Sequence, residues 1–186
     1  AGFFAAAAGR VLWDGTPIDH LPPGDRPVSI VFQDNNLFPH LTAFQNVALG
    51  LRPSLRLTPE ETRAVEDALV RVGLSGLGPR RPGELSGGQQ SRVALARVLV
   101  RRKPLLLLDE PFSALGPALR VEMLDLVKAV AEETGATVLM VSHDPGDARR
   151  IAGLTLYLGE GKAHPPVPTE VLFAAPPPAL AAYLGK

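Results

Sequence analysis

No cysteine occurs in the 186 residues. That excludes disulfides, thiolate metal sites and a cysteine nucleophile, and it fits a reducing compartment. No charge of one sign dominates, with 19 Lys and Arg against 19 Asp and Glu, so nothing global marks a nucleic-acid binder or an acidic tail. Apolar runs such as Leu105 to Leu108 fall far short of the roughly 20 residues that a membrane-spanning helix needs. The opening "AGFFAAAAGR" has neither an initiator methionine nor a basic residue ahead of its apolar part, so it does not read as a signal peptide. It reads as the interior of a fold. No internal repeat is visible.

What is present alternates short apolar runs with helical patterns, the pattern of an α/β domain with a largely parallel sheet. A chain of this length can bury a full core, and one domain with a lobe inserted into it is expected. Asp14-Gly15 between two β-prone pieces predicts a hairpin, because glycine accepts the positive φ of a type I′ turn. The strand candidates are Val28 to Gln33, Leu105 to Glu110, Thr137 to His143 and Leu154 to Gly159. The middle two are apolar throughout, as strands covered on both faces should be.

Between about residues 34 and 100 the character changes to helix and loop, which predicts a helical subdomain inserted into the sheet domain. Thr58-Pro59-Glu60-Glu61 has the form of a capping box with proline at the first helical position. Val65, Ala68, Leu69 and Val72 then fall on one face before Gly73. A later helix is expected to start near Pro117, bury Leu119, Met123, Leu126, Val127 and Val130, and end at Gly135. Residues 162–186 turn proline-rich and predict a loose tail with little helix.

Three strand ends and one helix start carry the chemistry. "ELSGGQQSRVALAR" puts Ser86, Gly87, Gly88 and Gln89 at the start of a helix. Unpaired N–H groups and the positive end of the helix dipole favour an anion there. Glycines let the anion come close to the backbone, and Ser86 and Gln89 add side-chain hydrogen bonds. By itself this is also an ordinary glycine-rich helix entry. In "LLLLDEP" an apolar strand ends in Asp109 and Glu110, pointing two carboxylates out of the carboxyl end of a parallel sheet, where such folds bind ligands. Asp109 could hold Mg²⁺ and Glu110 could polarise a water for attack on a γ-phosphate. His143 in "LMVSHD" and Gln33 ending "VSIVFQ" are weak signals alone, yet an imidazole could reach the same phosphate and an amide can ligate Mg²⁺.

Taken in order, "LSGGQ", "LLLLDEP", His143 and Gln33 resemble the signature motif, Walker B strand, switch histidine and Q-loop of ATP-binding cassette (ABC) ATPases. The stretches Arg26 to Leu51, "PGELSGGQ" and "LLLLDEPFSALGPALR" are closer still to the ATPase subunits of bacterial thiamine importers. The resemblance implies a P-loop NTPase-like fold with an inserted helical subdomain, and ATP and Mg²⁺ as cofactors. It implies a head-to-tail pair with a second ABC ATPase subunit, in which each signature helix caps the nucleotide held by the other. Glu110 and His143 are then catalytic, Ser86, Gly87, Gly88, Gln89 and His143 bind nucleotide, and Asp109 and Gln33 attend Mg²⁺. Partners would be transmembrane permease subunits, met by the segment Asn35 to Asn46 at the cytoplasmic face of the inner membrane, and indirectly a periplasmic thiamine-binding protein. No nucleic acid is implied.

Two departures stand out. The phosphate loop G-x-x-x-x-G-K-[ST] does not occur, since the lysines are Lys103, Lys128, Lys162 and Lys186 and none completes the motif; "GEGKA" reads as a hairpin turn. In the family that loop and its helix lie just upstream of a segment resembling Ala1-Gly2-Phe3, as does an aromatic that stacks on adenine. The expectation is a chain lacking its first strands and P-loop. Gly116 stands where the family usually has aspartate, in a loop that communicates between the two sites. The rival functions are a non-catalytic interaction module, an importer ATPase for another small solute, and a non-transport ABC protein. The neutral charge and small helical lobe disfavour the last.

Overall fold

The computed structural model describes residues 1–159 and 161–185, which fall into two compact units, Ala1–Val141 and Ser142–Lys186. In the first unit, β1 (Leu12–Trp13) and β2 (Thr16–Pro17) form the expected hairpin, with Asp14 at φ 45° and Gly15 at φ 76° in its turn. β3 (Val28–Val31) leads into a helical stretch made of α1 (Ala43–Ala48), α2 (Pro59–Arg71), a 3-10 turn at Pro82–Glu84 and α3 (Gly87–Arg101). β4 (Leu105–Asp109), α4 (Pro117–Thr134) and β5 (Thr137–Val141) complete the unit. β3, β4 and β5 pair in parallel in that order, with Val31 opposite Leu108 and Leu108 opposite Met140.

Local chemistry explains the boundaries. Thr58 and Glu61 form the expected capping box, their bonds 3.2 and 2.8 Å long, and Thr42 with Gln45 caps α1 in the same way. Such reciprocal bonds satisfy two otherwise orphaned N–H groups. The α2 face of Val65, Ala68 and Leu69 is buried together with Val72, and Gly73 ends the helix at φ 72°. In α4, Met123, Val127 and Val130 are buried as expected, but Leu124 takes a core place while Leu119 and Leu126 are only half-buried. Gly116 is the N-cap of α4 without a side-chain bond, and Pro117 at the first position starts the helix.

α1, α2 and α3 pack on one another, and α3 reaches β3 and α4. One face of the sheet is closed by Ser29, Val31, Leu106 and Leu108, all buried. The other opens at β5, where Leu139 is 56% and Val141 47% exposed. This corrects the expectation that β5 is covered on both faces: among the described residues no layer covers Leu139 and Val141, whereas β3, the other outer strand, is mostly buried.

The second unit contains α5 (Pro145–Ile151), β6 (Leu154–Thr155), β7 (Leu158–Gly159), β8 (Lys162–Ala163), β9 (Val167–Pro168), α6 (Thr169–Ala174) and α7 (Pro178–Tyr183). The single strand expected over Leu154 to Gly159 is two short ones with different partners. β6 pairs with β9 and β7 with β8, both antiparallel. The β7–β8 hairpin holds the "GEGKA" turn, with Gly161 at φ 72°; Glu160 of that motif and Lys186 lie outside the described residues. The proline-rich stretch is not a loose tail with little helix. Pro178 opens α7, and Leu172, Phe173 and Leu180 are buried. Proline breaks a helix from inside but suits its first turn, where no N–H bond is lost.

Candidate active site

Parallel pairing places the strand ends of the first unit at one edge. Gln33 stands two residues past Val31 on β3, and Glu110 two past Leu108 on β4, the residues that pair in register. Asp109 is exposed at the end of β4. The Glu110 N–H donates to the Val141 carbonyl at 3.0 Å, extending the ladder with β5 before the chain turns. Glu110 itself has φ 42°. A side chain in this left-handed region costs about 1–2 kcal/mol, and such strain gathers where a fold holds a group in a required orientation.

Ser113 joins the two strand ends. Its hydroxyl donates to the Glu110 carbonyl at 3.1 Å and accepts from Gln33 Nε2 at 3.4 Å, while its N–H reaches the same carbonyl at 3.3 Å. Sequence reasoning missed this residue. The signal available was a serine three places after a strand-end acid, within reach of a turn carbonyl. With Nε2 on Ser113, Gln33 keeps Oε1 as its remaining polar atom.

At the start of α3, Ser86 and Gln89 bond each other: the Gln89 N–H donates to Ser86 Oγ at 3.3 Å, and the Ser86 N–H to Gln89 Oε1 at 3.0 Å. This capping box leaves the N–H groups of Gly87 and Gly88 without an intrahelical acceptor. The two glycines then divide. A Cβ on Gly87 would meet nothing within 4 Å, and Gly87 is exposed. A Cβ on Gly88 would lie 2.3 Å from Leu119 Cδ2 of α4, and Gly88 is buried. Its missing side chain lets Leu119 pack against α3, a cause that the sequence pattern does not display.

His143 belongs to the second unit and is exposed. The Tyr183 hydroxyl of α7 donates to its carbonyl at 2.7 Å. On either side, Ser142 Oγ bonds Asp147 Oδ2 at 2.6 Å and accepts the Asp144 N–H at 3.0 Å, and Asp144 caps α5 through the Gly146 N–H. The loop carrying the imidazole is thus held by α5 and α7.

Among the described residues no three His, Asp or Glu side chains cluster to hold a metal by protein ligands alone. Mg²⁺ does not need that; it keeps several waters and takes one or two protein oxygens beside substrate phosphates. Asp109 and Gln33 Oε1 are strand-end oxygens that could serve in that way.

Comparison with known proteins bears on the family and the fold. Residues 1–113 match the family model described as "ABC transporter". The "Thiamine import ATP-binding protein ThiQ" of Cereibacter sphaeroides is 60% identical over 185 residues, covering 100% of this chain and 80% of its own. The protein of that name from Brucella suis is 54% identical over 187 residues, covering 100% and 78%. Among solved structures, an ATP-binding cassette in a dimeric post-hydrolysis state bound to ADP and Pi superposes with a TM-score of 0.75 at 32% identity, covering 88% of this chain and 74% of that one.

Proposed function

This chain belongs to the ABC transporter family, and on that premise we propose that it is the ATP-hydrolysing part of a bacterial importer whose solute is thiamine. The observation that carries the reading is Glu110, held left-handed at the end of β4 and joined through Ser113 to Gln33. A carboxylate carried on a backbone held at such a place suits a base that must meet one water in one orientation. Glu110 would polarise the attacking water, and His143 would contact the γ-phosphate. Asp109 and Gln33 Oε1 would face Mg²⁺, which when bound offsets charge on the transferring phosphoryl oxygens. Exposed Gly87, the Gly88 N–H and the Ser86–Gln89 cap would cover nucleotide held by a second, head-to-tail copy.

Thiamine is supported by the relatives' names at 54–60% identity over the whole chain. The transmembrane permease subunits would be met by the surface around Asn35, Leu37, Phe38 and His40. Phe38 is exposed there and packs edge-on against His40 at 6.0 Å. The assembly would sit at the cytoplasmic face of the inner membrane, taking solute from a periplasmic thiamine-binding protein.

The test is a chimera in which these 186 residues are completed by the part of the Cereibacter sphaeroides relative that they do not span. Expressed with that system's membrane and binding subunits, it should hydrolyse ATP and restore uptake of labelled thiamine. Hydrolysis without thiamine uptake, in an assembled complex, would count against thiamine and leave an ATPase for another small solute. No hydrolysis in a folded chimera would leave the non-catalytic module.

A further inference from the structure

Arg97 lies in the middle of α3 and is half-buried, yet it forms no ion pair among the described residues. Burial, and secondarily the nearby Arg101 charge, pull its pKa below the usual arginine value. A cation is rarely enclosed without an anionic partner, so its hydrogen bonds must offset the cost. Among the described residues they go to two carbonyls. Nη2 donates to Asn35 O and Nη1 to Asn36 O, each at 2.8 Å.

Those carbonyls belong to consecutive left-handed residues, Asn35 at φ 59° and Asn36 at φ 44°, directly after Gln33 and Asp34. Two such residues in a row are costly, and asparagine tolerates the conformation better than most. In this loop the carbonyls face α3, where the planar fork of a guanidinium can take both at once. On the far side, fully buried Asn46 of α1 accepts the Phe38 N–H at 2.8 Å and donates to the carbonyls of Phe38, Leu41 and Thr42. The loop is gripped from two helices.

We propose that Arg97 is a positioning residue that ties the loop carrying Gln33 to the signature helix. Displacement at Ser86–Gln89 is thereby passed along α3, about 14 Å at 1.5 Å per residue, to the backbone beside Gln33. The link joins a group that serves the subunit's own nucleotide to one that serves the partner copy's. In that respect it rests on the function proposed above.

Hydrogen exchange on the 186-residue chain tests the grip. In Arg97→Gln the amides of residues 35–38 should exchange about tenfold faster or more, because charged hydrogen bonds holding a local structure are lost. Protection in β4 and the rest of α3 should stay as in the wild type. Arg97→Lys keeps the charge and stem but not the fork. It should behave the same way, and it carries the test if the glutamine variant does not fold. Wild-type exchange at 35–38 in Arg97→Lys, or a rise spread evenly over the chain, overturns the proposal. In the completed chimera, Arg97→Lys should lower kcat about tenfold with the KM for ATP within about twofold, since Gln33 is misplaced while the phosphate contacts remain. Unchanged kcat also overturns it. A wild-type chimera that hydrolyses nothing defeats the preceding functional reading, and the exchange result then decides the grip alone.

Discussion

Replacing Glu110 by alanine and, separately, by glycine isolates the backbone strain at the candidate base. Both variants lose every contact of the carboxylate, so those losses cancel in the comparison and the difference reports φ. At 42° the Cβ of alanine costs about 1–2 kcal/mol that glycine does not incur. Glycine gives back about 0.5–1 kcal/mol through the greater freedom of its unfolded chain. The glycine variant should therefore be more stable than the alanine variant by about 0.5–1 kcal/mol. In a protein of this size that is a Tm difference of about 1–4 °C. At an exposed helical site the order reverses, so Ala129→Gly in α4 should cost about 1 kcal/mol and serves as the control. Urea unfolding followed by far-UV circular dichroism, compared at equal m-values, gives the numbers. Should Glu110→Gly prove less stable than Glu110→Ala, Glu110 is not held left-handed and the orientation argument for its chemistry falls.

Other substitutions test the scaffold around the site. A Cβ at Gly50 would lie 2.5 Å from the Arg97 carbonyl and 2.7 Å from Val100 Cγ2. Backbone cannot yield as a side-chain end can, so Gly50→Ala should destabilise by about 1–3 kcal/mol in urea. Asn46→Ala leaves the Phe38 N–H unpaired beside a new cavity. It should cost about 1–3 kcal/mol and speed proteolytic cleavage within residues 35–42. The Glu61 carboxyl is held below the ordinary glutamate value of 4.5, first by the Thr58 N–H and then by Arg52. Its contribution is therefore complete above about pH 4.5 and is lost as the pH falls through the lower folded value. Glu61→Gln should flatten that acid limb of the stability curve relative to wild type.

Which features were legible in the sequence follows from how local their causes are. The cap at Thr58, the turn at Asp14-Gly15 and the stop at Gly73 are set by residues within a few positions of each other, so their letters suffice; Ser86 and Gln89, read from the sequence as anion ligands, instead bond each other's backbone N–H groups. Strand existence followed from apolar runs, but β5 is open on one face because coverage depends on what packs there. The Leu154 to Gly159 run divides because Leu154 and Thr155 pair with β9 while Leu158 and Gly159 pair with β8, a hairpin along which Tyr157 stacks on His164 with ring centroids 5.4 Å apart. At the candidate site, Gln33, Asp109 and Glu110 could be named from their strand-end positions. Ser113 meets Gln33 across 80 residues and Arg97 meets Asn35 across 62. No local pattern announces either meeting. Gly88, named for closeness to phosphate, also packs against Leu119, and only packing reveals that second constraint.

If Glu110 is the base of an ATPase whose composite site needs a second copy, Glu110→Gln in the completed chimera should separate hydrolysis from nucleotide binding. Turnover under saturating ATP-Mg²⁺ should fall by about 10²–10⁴, the usual loss for a well-placed catalytic group. Because binding survives, ATP should hold the variant as a dimer in light scattering, and ADP should not. Turnover equal to the wild type, or a variant that stays monomeric with ATP bound, would contradict the account.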